Sequence, residues 1–339
     1  CGFKKACRFM HFTLAKYTFK DFIFEWKNKY SSELSSNTRS NYMSIINAYL
    51  NPVFGNMRLD EVKTMHIVNY LDSLKNIRRD GKEGGLSAES INYHRRILKN
   101  IFSRAYEWKL IKNNPVEGVK KRKTTKQKTE VYSTEEVHEL LELLQDQIPQ
   151  MRLIVTLAIT CGLRRSEILG LSWDDIDFEN NAIWIRHSLI YTEENGYELK
   201  DTKTEKSDRI IIAPDFLMNQ FKKHKMIKNT ERLKASDLWE GGEHFFVFST
   251  WNGKPYFPDY IGTWWRRFLK RTGFKKIRFH DLRHTAATLL INQGVHTKII
   301  SERLGHANIQ TTMNIYGHYL READKEVANT LEKLFNTNS

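Results

Sequence analysis

The sequence predicts a mainly α-helical chain with one small antiparallel β-sheet, divided into an N-terminal helical domain and a larger C-terminal domain. Three observations lead to this fold class. The chain has 339 residues, which is more than one ordinary hydrophobic core accommodates. Its apolar residues recur mostly at helical spacing, at positions i, i+3, i+4 and i+7. Its positive charge is uneven, because residues 1–128 hold 26 Lys and Arg against 11 Asp and Glu while the remainder is close to neutral.

Residues 18–117 are predicted to form four helices joined by short connections. Each helix has an apolar face, and the expected starts, taken from capping residues, are Thr18, Asn37 or Thr38, Thr64 and Ser87. The second helix is expected to end at Asn51-Pro52, since proline disfavours helical continuation. The fourth and longest helix carries a basic face made of Arg95, Arg96, Lys99 and Arg104.

Residues 118–130 are predicted to be a basic linker. The stretch 119–128 has six basic residues, no acidic ones and no apolar period, and it includes Lys120, Lys121, Arg122 and Lys123. Two interpretations stay open, a solvated linker and a segment that lies along a phosphate backbone. Residues 1–17 show no clear period and are expected to be a leader or the remnant of a truncated domain.

The composition narrows the class of protein. An N-terminal third that carries all of the net charge of +14 favours a polyanion partner, with a basic protein lacking a nucleic-acid partner as the alternative. No apolar run approaches the roughly 20 residues of a membrane span, and no secretory signal is visible. The three cysteines have no metal-ligand spacing, so we expect a reduced cytoplasmic protein without a metal or cofactor.

Residues 131–339 are predicted to form the second domain, beginning with a helix at Ser133 and a buried helix over 150–161. Strands are expected over 182–190, near 197–202 and over 209–213, with a turn at Asn195-Gly196. The remaining helices are expected over 215–228, 259–272, 283–293, 296–303, 309–317 and 320–335.

Four segments of this second domain contain polar residues that packing alone does not require. They carry Arg164 with Glu167, Lys203, His280 with Arg283, and His306 with Tyr316. Taken singly, each has a structural interpretation, such as an ion pair, a solvated turn, a satisfied histidine or a half-buried ring. Taken together, they are the parts of metal-free phosphoryl transfer: arginines that neutralise phosphate oxygens, a nucleophile, and groups that move protons.

These segments resemble the conserved boxes of the tyrosine recombinases, specifically the integrases of phages and conjugative transposons. Gly162-Leu163-Arg164-Arg165-Ser166-Glu167-Ile168 is similar to the first box. His280-Asp281-Leu282-Arg283-His284-Thr285, Leu304-Gly305-His306 and Tyr316 are similar to the second, in the family's order and spacing. Lys203, in Thr202-Lys203-Thr204, falls on the lysine of the family's hairpin motif. The likeness covers residues 18–335, although its N-terminal part is generic.

The resemblance implies a role for each residue. Arg164 and Arg283 grip the scissile phosphate, Lys203 is the general acid for the 5′ oxygen, His280 assists proton transfer, His306 hydrogen-bonds the transition state, and Tyr316 forms a 3′-phosphotyrosine. Glu167 supports this set without reacting. Tyr319 is the competing nucleophile, and the ten-residue step from His306 favours Tyr316.

The resemblance also implies the domains and the partners. Residues 18–117 correspond to a core DNA-binding domain, residues 131–339 to the catalytic domain, and residues 1–17 to the tail of an arm-binding domain. The expected partners are double-stranded DNA attachment sites, three further copies of the chain in a tetramer on DNA, and excisionase or DNA-bending proteins. The free protein is expected to be a monomer or weak oligomer. Helix 320–335 covers its own domain or docks on a neighbouring copy, the latter being favoured.

The implied activity is site-specific recombination of a mobile element through a Holliday junction, without metal or ATP. A type IB topoisomerase shares the nucleophile and the arginines, but it relaxes supercoils as a monomer. A non-enzymatic DNA-binding regulator requires none of the polar C-terminal residues. A phosphatase leaves the basic N-terminal third unexplained, and a metal-dependent nuclease lacks a carboxylate cluster beside the boxes.

Overall fold

The computed structural model describes residues 17–79, 81–124, 129–201, 208–306, 308–310, 312–313, 332 and 335. The chain divides into two compact units, Cys1–Gln127 with Thr192–Glu194, and Lys128–Tyr191 with Asn195–Ser339. Most of the predicted helices 309–317 and 320–335, and residues 1–16, lie outside the described residues. No helix in the described ranges is long and apolar enough to cross a membrane.

The first unit is helical, as predicted. Its helices are α1 (Phe19–Lys29), α2 (Ser36–Ile45), α3 (Asn51–Phe54), α4 (Thr64–Ser73) and α5 (Ala88–Glu107). The predicted caps Thr18 and Ser87 are confirmed, because their hydroxyl oxygens accept hydrogen bonds from the first turns of α1 and α5. The core consists of apolar and aromatic faces of these helices, with Trp26 and Phe102 fully buried.

The second helix differs from its prediction at both ends. Its cap is Ser35 rather than Asn37 or Thr38, since Ser35 Oγ accepts the Thr38 N–H. It does not end at Asn51-Pro52, because a π-type turn over Ile46–Leu50 leads straight into α3. Pro52 lies directly after the π-type turn, where the helical hydrogen-bond pattern changes register.

The start of the predicted linker is packed on the first unit. Val116 and Val119 are buried in its core. The side-chain amide of Asn92 in α5 donates to the Arg122 carbonyl oxygen at 3.0 Å and accepts the Arg122 N–H at 2.9 Å. The polypeptide therefore remains attached to α5 as far as Arg122.

The second unit contains helices and two small sheets. The helices are α6 (Thr134–Leu143), α7 (Pro149–Cys161), α8 (Arg165–Gly170), α9 (Asp215–Ala235), α10 (Pro258–Thr272), α11 (Asp281–Asn292) and α12 (Thr297–Leu304). The strands are β1 (Ile176–Asp177), β2 (Ala182–Ile185), β3 (His187–Thr192), β4 (Gly196–Asp201) and β5 (Arg209–Ile212). Helix α7 is almost completely buried, as its apolar sequence predicts.

The strands form two sheets rather than the single sheet predicted. The first has the order β1-β2-β5 and is antiparallel, with Ile183 opposite Ile211. The second contains β3 and β4. The predicted strand 182–190 is broken at Arg186, and beyond this break the β3 backbone packs against Gly170. Sequence alternation cannot reveal this break, because apolar residues continue on both sides of it.

Helix α9 is seven residues longer than the predicted 215–228, ending at Ala235. Lys228, where the predicted helix ends, has a fully buried side chain. Its ammonium group donates to the carbonyl oxygens of Ser249 and Thr250 at 3.0 and 2.9 Å and forms an ion pair with Glu231. A buried lysine with this many acceptors fastens the distal half of α9 to the unit.

Candidate active site

Helices α7, α11 and α12 meet at Gly162, the residue that ends α7. Its φ is +63°, a conformation that favours glycine, and a Cβ there would overlap the side chain of Leu304. The Gly162 carbonyl oxygen accepts a hydrogen bond from Arg283 Nη1 at 2.6 Å. The glycine thus permits the close approach that brings the first box next to the second.

Arg164 lies at the N-terminus of α8 and is held by Glu167. Its backbone N–H donates to Glu167 Oε2 at 2.9 Å, and its Nη1 lies 2.5 Å from Glu167 Oε1. Its Nη2 donates to the Gly305 carbonyl oxygen at 2.8 Å. The structural ion pair weighed from sequence is therefore present, yet the Arg164 side chain remains 37% exposed and can also reach a ligand.

Glu167 also binds Arg209, a residue to which the sequence analysis gave no role. Arg209 Nη2 lies 2.9 Å from Glu167 Oε2, and its Nε donates to the Arg303 carbonyl oxygen at 2.8 Å. Burial opposes ionisation of Glu167, but Arg209 and then Arg164 outweigh it, so the pKa of this carboxyl is lowered. One signal was available: Arg209 shares the inward face of β5 with Ile211, where an unpartnered charge is too costly.

Gly305 completes this network. It ends α12 with φ +66°, and a Cβ at this position would lie 2.7 Å from Arg209 Nη1. Its carbonyl oxygen is the acceptor for Arg164 described above. The lack of a side chain at Gly305, in the predicted Leu304-Gly305-His306 segment, therefore leaves room for Arg209. The carbonyl oxygen of the same residue orients Arg164.

Arg283 is more deeply buried than Arg164, with 3% of its surface exposed. Burial, and then repulsion from Arg164, lowers its pKa to about 9, so it remains a cation at neutral pH. Its Nη2 is buried and has no hydrogen-bond partner among the described residues. A buried guanidinium with an unused donor suits an anion, whose oxygens would accept from it.

The two predicted histidines lie in the same electrostatic field. His306 Nδ1 is 2.8 Å from Thr312 Oγ1, and burial, followed by Arg283 and Arg164, lowers the pKa of His306 to about 4. His280 is partly open to solvent, yet desolvation of its ring, then His284 and Arg283, lower its pKa as well. Both imidazoles are consequently neutral at pH 7, able to accept a proton or donate an N–H.

Arg164, Arg283 and His306 are thus brought together, with His280 close to Arg283 and with Glu167 bound to Arg164. Lys203, Tyr316 and the competing Tyr319 lie outside the described residues, so their roles remain predictions. Within the described ranges, no group of three or more His, Cys, Asp or Glu side chains could hold a metal ion. The chemistry available to the described groups is binding of a tetrahedral anion and proton movement by neutral imidazoles.

A basic groove of about 930 Å³ runs beside His280, between α8, α10 and the segment that precedes α11. Its polar lining includes Arg165, Arg266, Lys270, Lys276, Arg278 and His280. Arg165 and Arg278 are paired with Asp259 and Asp281, at 3.1 and 2.8 Å. The groove could not be predicted from the sequence, because the near-zero net charge of the second domain conceals a local excess of cations.

The predicted DNA-binding residues of the first unit fall into two groups. Three are less exposed and have partners within the unit: Arg95 donates to the Val119 carbonyl oxygen, Arg122 to the Leu71 carbonyl oxygen and Asp72, and Arg104 lies 3.8 Å from the centre of the Tyr30 ring. The others are exposed, namely Arg96, Lys99, Lys120, Lys121 and Lys123, and of these Arg96 also lies 5.6 Å from the centre of the Tyr93 ring. The exposed group is the better candidate for phosphate contacts.

Comparisons with known proteins agree with this picture. A model described as "Phage integrase family" matches residues 130–322, and one described as "Phage integrase, N-terminal SAM-like domain" matches residues 18–75. A "Tyrosine recombinase XerC-like" protein of Caldanaerobacter subterraneus subsp. tengcongensis is 30% identical over 294 residues, covering 82% of this chain and 73% of the relative.

Two solved structures share the fold. The Tn1549 transposon integrase in complex with transposon right end DNA has a TM-score of 0.70 at 22% identity, covering 91% of this chain and 98% of that one. A lambda integrase tetramer bound to a Holliday junction has a TM-score of 0.63 at 19% identity, covering 86% and 78%. Together with the motifs and the arginine network, the family matches show that this chain belongs to the phage integrase family, the site-specific tyrosine recombinases.

Proposed function

We propose that this chain is the integrase of a mobile genetic element and recombines double-stranded DNA at specific attachment sites. The observation that carries the proposal is the pair Arg164 and Arg283, one half-exposed and fixed by Glu167, the other buried with an unused Nη2 donor. Two guanidinium groups fixed beside each other are suited to hold the two non-bridging oxygens of one phosphodiester.

In the proposed cleavage step each of the predicted site residues has one role. Tyr316 Oη attacks the phosphorus, and its proton passes to neutral His280. The bond between phosphorus and the 5′ oxygen breaks, and the Lys203 ammonium protonates that oxygen. Arg164 and Arg283 neutralise the developing charge, while His306 donates an N–H to a non-bridging oxygen.

Rejoining is the reverse of cleavage. A 5′ hydroxyl from the partner strand attacks the phosphotyrosine, and Tyr316 leaves as it regains a proton. One phosphodiester is broken and one formed, so the exchange needs no ATP. Cleavage and rejoining occur twice on two paired sites. The intermediate between the two strand exchanges is a Holliday junction.

The proposed assembly is a tetramer on two attachment sites, as in the lambda integrase structure, formed from monomers or weak oligomers. The Tn1549 integrase, which was solved with transposon right end DNA, supports a mobile element as the source of those sites. Excisionase or DNA-bending proteins are proposed as further partners, and the cytoplasm as the compartment.

The proposed groove partner is DNA. The cations that line the groove beside His280 are proposed to contact the DNA backbone that flanks the scissile phosphate. With the exposed lysines of the first unit, they provide phosphate contacts from both units. The sequence led us to expect that residues 1–128 supply most of the DNA affinity. The groove adds a proposed DNA contact in the second unit.

The decisive experiment uses a nicked duplex that carries the attachment core, so that cleavage releases a short strand and traps the covalent complex. Wild type is expected to form an adduct that resists denaturant in the presence of EDTA. Tyr316→Phe should form none, whereas the matched control Tyr319→Phe should retain it. An adduct with Tyr316→Phe would overturn the nucleophile assignment. Relaxation of supercoiled DNA that lacks the site would favour the topoisomerase alternative.

A further inference from the structure

The stretch from Val119 to Arg122, here called the clamped segment, runs beside helix α5 and is bound to it at both ends. At one end Arg95 Nε donates to the Val119 carbonyl oxygen at 2.7 Å. At the other end the Asn92 side chain binds both the N–H and the carbonyl oxygen of Arg122, at 2.9 and 3.0 Å. Since Asn92 precedes Arg95 but binds the later residue, the clamped segment runs antiparallel to α5. Its backbone is therefore fixed at two points three residues apart.

Further contacts keep the ends of the clamped segment in place. Val119 is 7% exposed and packs in the core of the first unit. The Arg122 guanidinium donates to the Leu71 carbonyl oxygen at 3.0 Å and to Asp72 Oδ1 at 3.2 Å. Because it reaches these acceptors through a long side chain with many rotamers, it keeps Arg122 near α4 without fixing the orientation of the adjoining peptide groups. Asn92 fixes that orientation, since its single amide binds the backbone on both sides of the Arg122 Cα.

The cations of this region are divided between the clamp and the surface. Lys120 and Lys121 lie between the two attachment points, are exposed, and form no ion pair with a residue in the described part of the chain. On α5, the exposed Arg96 and Lys99 follow Arg95 by one and four positions, so they lie within about one helical turn of the clamp. A row of cations on a backbone that is already ordered suits a polyanion such as the phosphate backbone of DNA.

The clamp has an energetic consequence for binding. A segment that is free in solution has to lose backbone freedom when its lysines settle on phosphates, which weakens binding by about 10-fold for each residue that becomes ordered. Residues 119–122 have lost this freedom before DNA arrives, because α5 already holds them. Preorganisation of this kind increases affinity without adding a contact.

We propose that Asn92 and Arg95 are positioning residues for DNA binding, and that they hold Lys120 and Lys121 in place for the phosphate backbone. Arg95, expected from the sequence to bind DNA, is assigned to the clamp instead. The start of the predicted linker is then a fixed phosphate-binding strand rather than a solvated connection. This inference rests on the proposed function, which supplies the DNA.

The test measures the affinity of the full chain for a duplex with the attachment core over a series of salt concentrations. The slope of log affinity against log salt reports how many phosphates the protein neutralises. The affinity at one salt concentration also includes the cost of ordering the protein. Loss of a phosphate contact therefore lowers both quantities, whereas loss of positioning lowers the affinity and leaves the slope unchanged.

Asn92→Ala is expected to weaken DNA binding by about 10-fold with an unchanged slope. In the free protein it should also speed amide hydrogen exchange in peptides that span residues 118–124. Lys120→Gln and Lys121→Gln should each lower the slope by about 1. The matched control is Asn76→Ala, which removes an exposed asparagine side chain elsewhere in the unit and should behave as wild type in both measurements.

Arg95 is tested by two substitutions that separate its charge from its hydrogen bond. In glutamine the Nε2 donor is as many bonds from the Cα as Nε is in arginine. Arg95→Gln therefore keeps a donor for the Val119 carbonyl oxygen and should bind DNA nearly as wild type. Arg95→Ala removes the donor and should weaken binding as Asn92→Ala does. A slope lower by about 1 in both variants would overturn the positioning role and make Arg95 a phosphate contact.

The remaining outcomes also decide the matter. Wild-type affinity or unchanged hydrogen exchange in Asn92→Ala would overturn the clamp. So would a lower slope in that variant, because it would mean that phosphate contacts are lost rather than made less favourable. If instead the wild type neither binds the attachment core in preference to unrelated DNA nor forms the covalent adduct, the proposed function fails, and this result does not depend on the clamp variants.

Discussion

Glu167 and Arg209 form an ion pair in which the two side chains are only 1% and 7% exposed, with 2.9 Å between Oε2 and Nη2. The pair joins α8 to β5, two elements that are 42 residues apart at the contact. Because Glu167 also binds Arg164, the charge of the buried carboxylate is shared by two arginines. The position of Arg164 therefore depends on a residue that is not expected to touch DNA.

Arg209→Ala is expected to destabilise the second unit by about 3–5 kcal/mol, the usual cost of breaking a buried ion pair from one side. The loss has this size because Glu167 keeps a buried charge with one partner fewer. Urea unfolding measures it. Arg266→Ala, which removes an exposed arginine, is the control and should cost less than about 0.5 kcal/mol. Equal losses of unfolding free energy in the two variants would show that the buried ion pair contributes no more to stability than an exposed arginine.

Arg164→Lys is expected to reduce strand cleavage by roughly 100- to 1,000-fold while DNA affinity changes little. Lysine keeps the charge but cannot bind Glu167, Gly305 and a phosphate oxygen with one planar group. Single-turnover cleavage and equilibrium binding separate the two effects. Arg271→Lys, at an exposed position outside the site and the groove, is the control, and it should cleave nearly normally. A parallel loss of binding and cleavage in Arg164→Lys would indicate a structural arginine.

Gly305→Ala is expected to unfold or inactivate the protein much more than Gly273→Ala. Both glycines end helices with φ near +70°, so both substitutions cost about 1–2 kcal/mol in backbone strain. Only the Cβ at position 305 meets Arg209. Thermal unfolding of the two variants isolates this overlap. Equal destabilisation would mean that Arg209 moves aside without consequence.

Stability is expected to fall as the pH drops from about 6.5 towards 4. His94 is buried, its Nδ1 is 2.6 Å from the Tyr70 hydroxyl oxygen, and burial lowers its pKa to about 4. Between these pH values His94 is protonated in the unfolded chain but not in the folded protein. Lowering the pH therefore favours unfolding. Above pH 6.5 neither state is protonated and the effect is absent. His94→Gln should flatten the dependence of the unfolding free energy on pH, and an unchanged slope would contradict this assignment.

DNA affinity is expected to depend on the groove cations of the second unit as well as on residues 1–128. Replacing Arg266 and Lys270 by alanine should lower the slope of log affinity against log salt by about 1 for each phosphate that the protein no longer neutralises. Lys222→Ala, on an exposed part of α9, is the control and should leave the slope unchanged. A slope that stays at the wild-type value in the double variant would confine the phosphate contacts to the first unit.

The sequence was sufficient for several helix starts that are decided locally, although it misplaced the N-caps of α2 and α4, which are Ser35 and Lys63. Ser87 and Ser133 cap helices where predicted, since a cap is decided within four residues. The grouping of Arg164, His280, Arg283 and His306 followed from motif order, which reflects a fold that the family shares. The assignments of Lys203 and Tyr316 still rest on that order alone.

Contacts between distant parts of the chain could not be predicted. Arg209 meets Glu167 and Gly305 only after β5 packs beside α12, and its own neighbours in sequence suggest a plain strand. Asn92 and Arg122 are 30 residues apart, so the charge run that contains Arg122 has the composition of a free linker although its start is docked. Net charge concealed the groove because acidic residues elsewhere in the second domain cancel its cations.

The unused Nη2 donor of Arg283 has a thermodynamic consequence for the free protein. This donor is buried and has no acceptor among the described residues, so an anion that accepts from it would bind the native state and lower its free energy. The molecule without DNA is then the less stable form, and its melting temperature should rise with inorganic phosphate. In a cell, proteases that act on transiently opened chains would remove unbound copies first, so the DNA site would itself determine how long an integrase molecule survives.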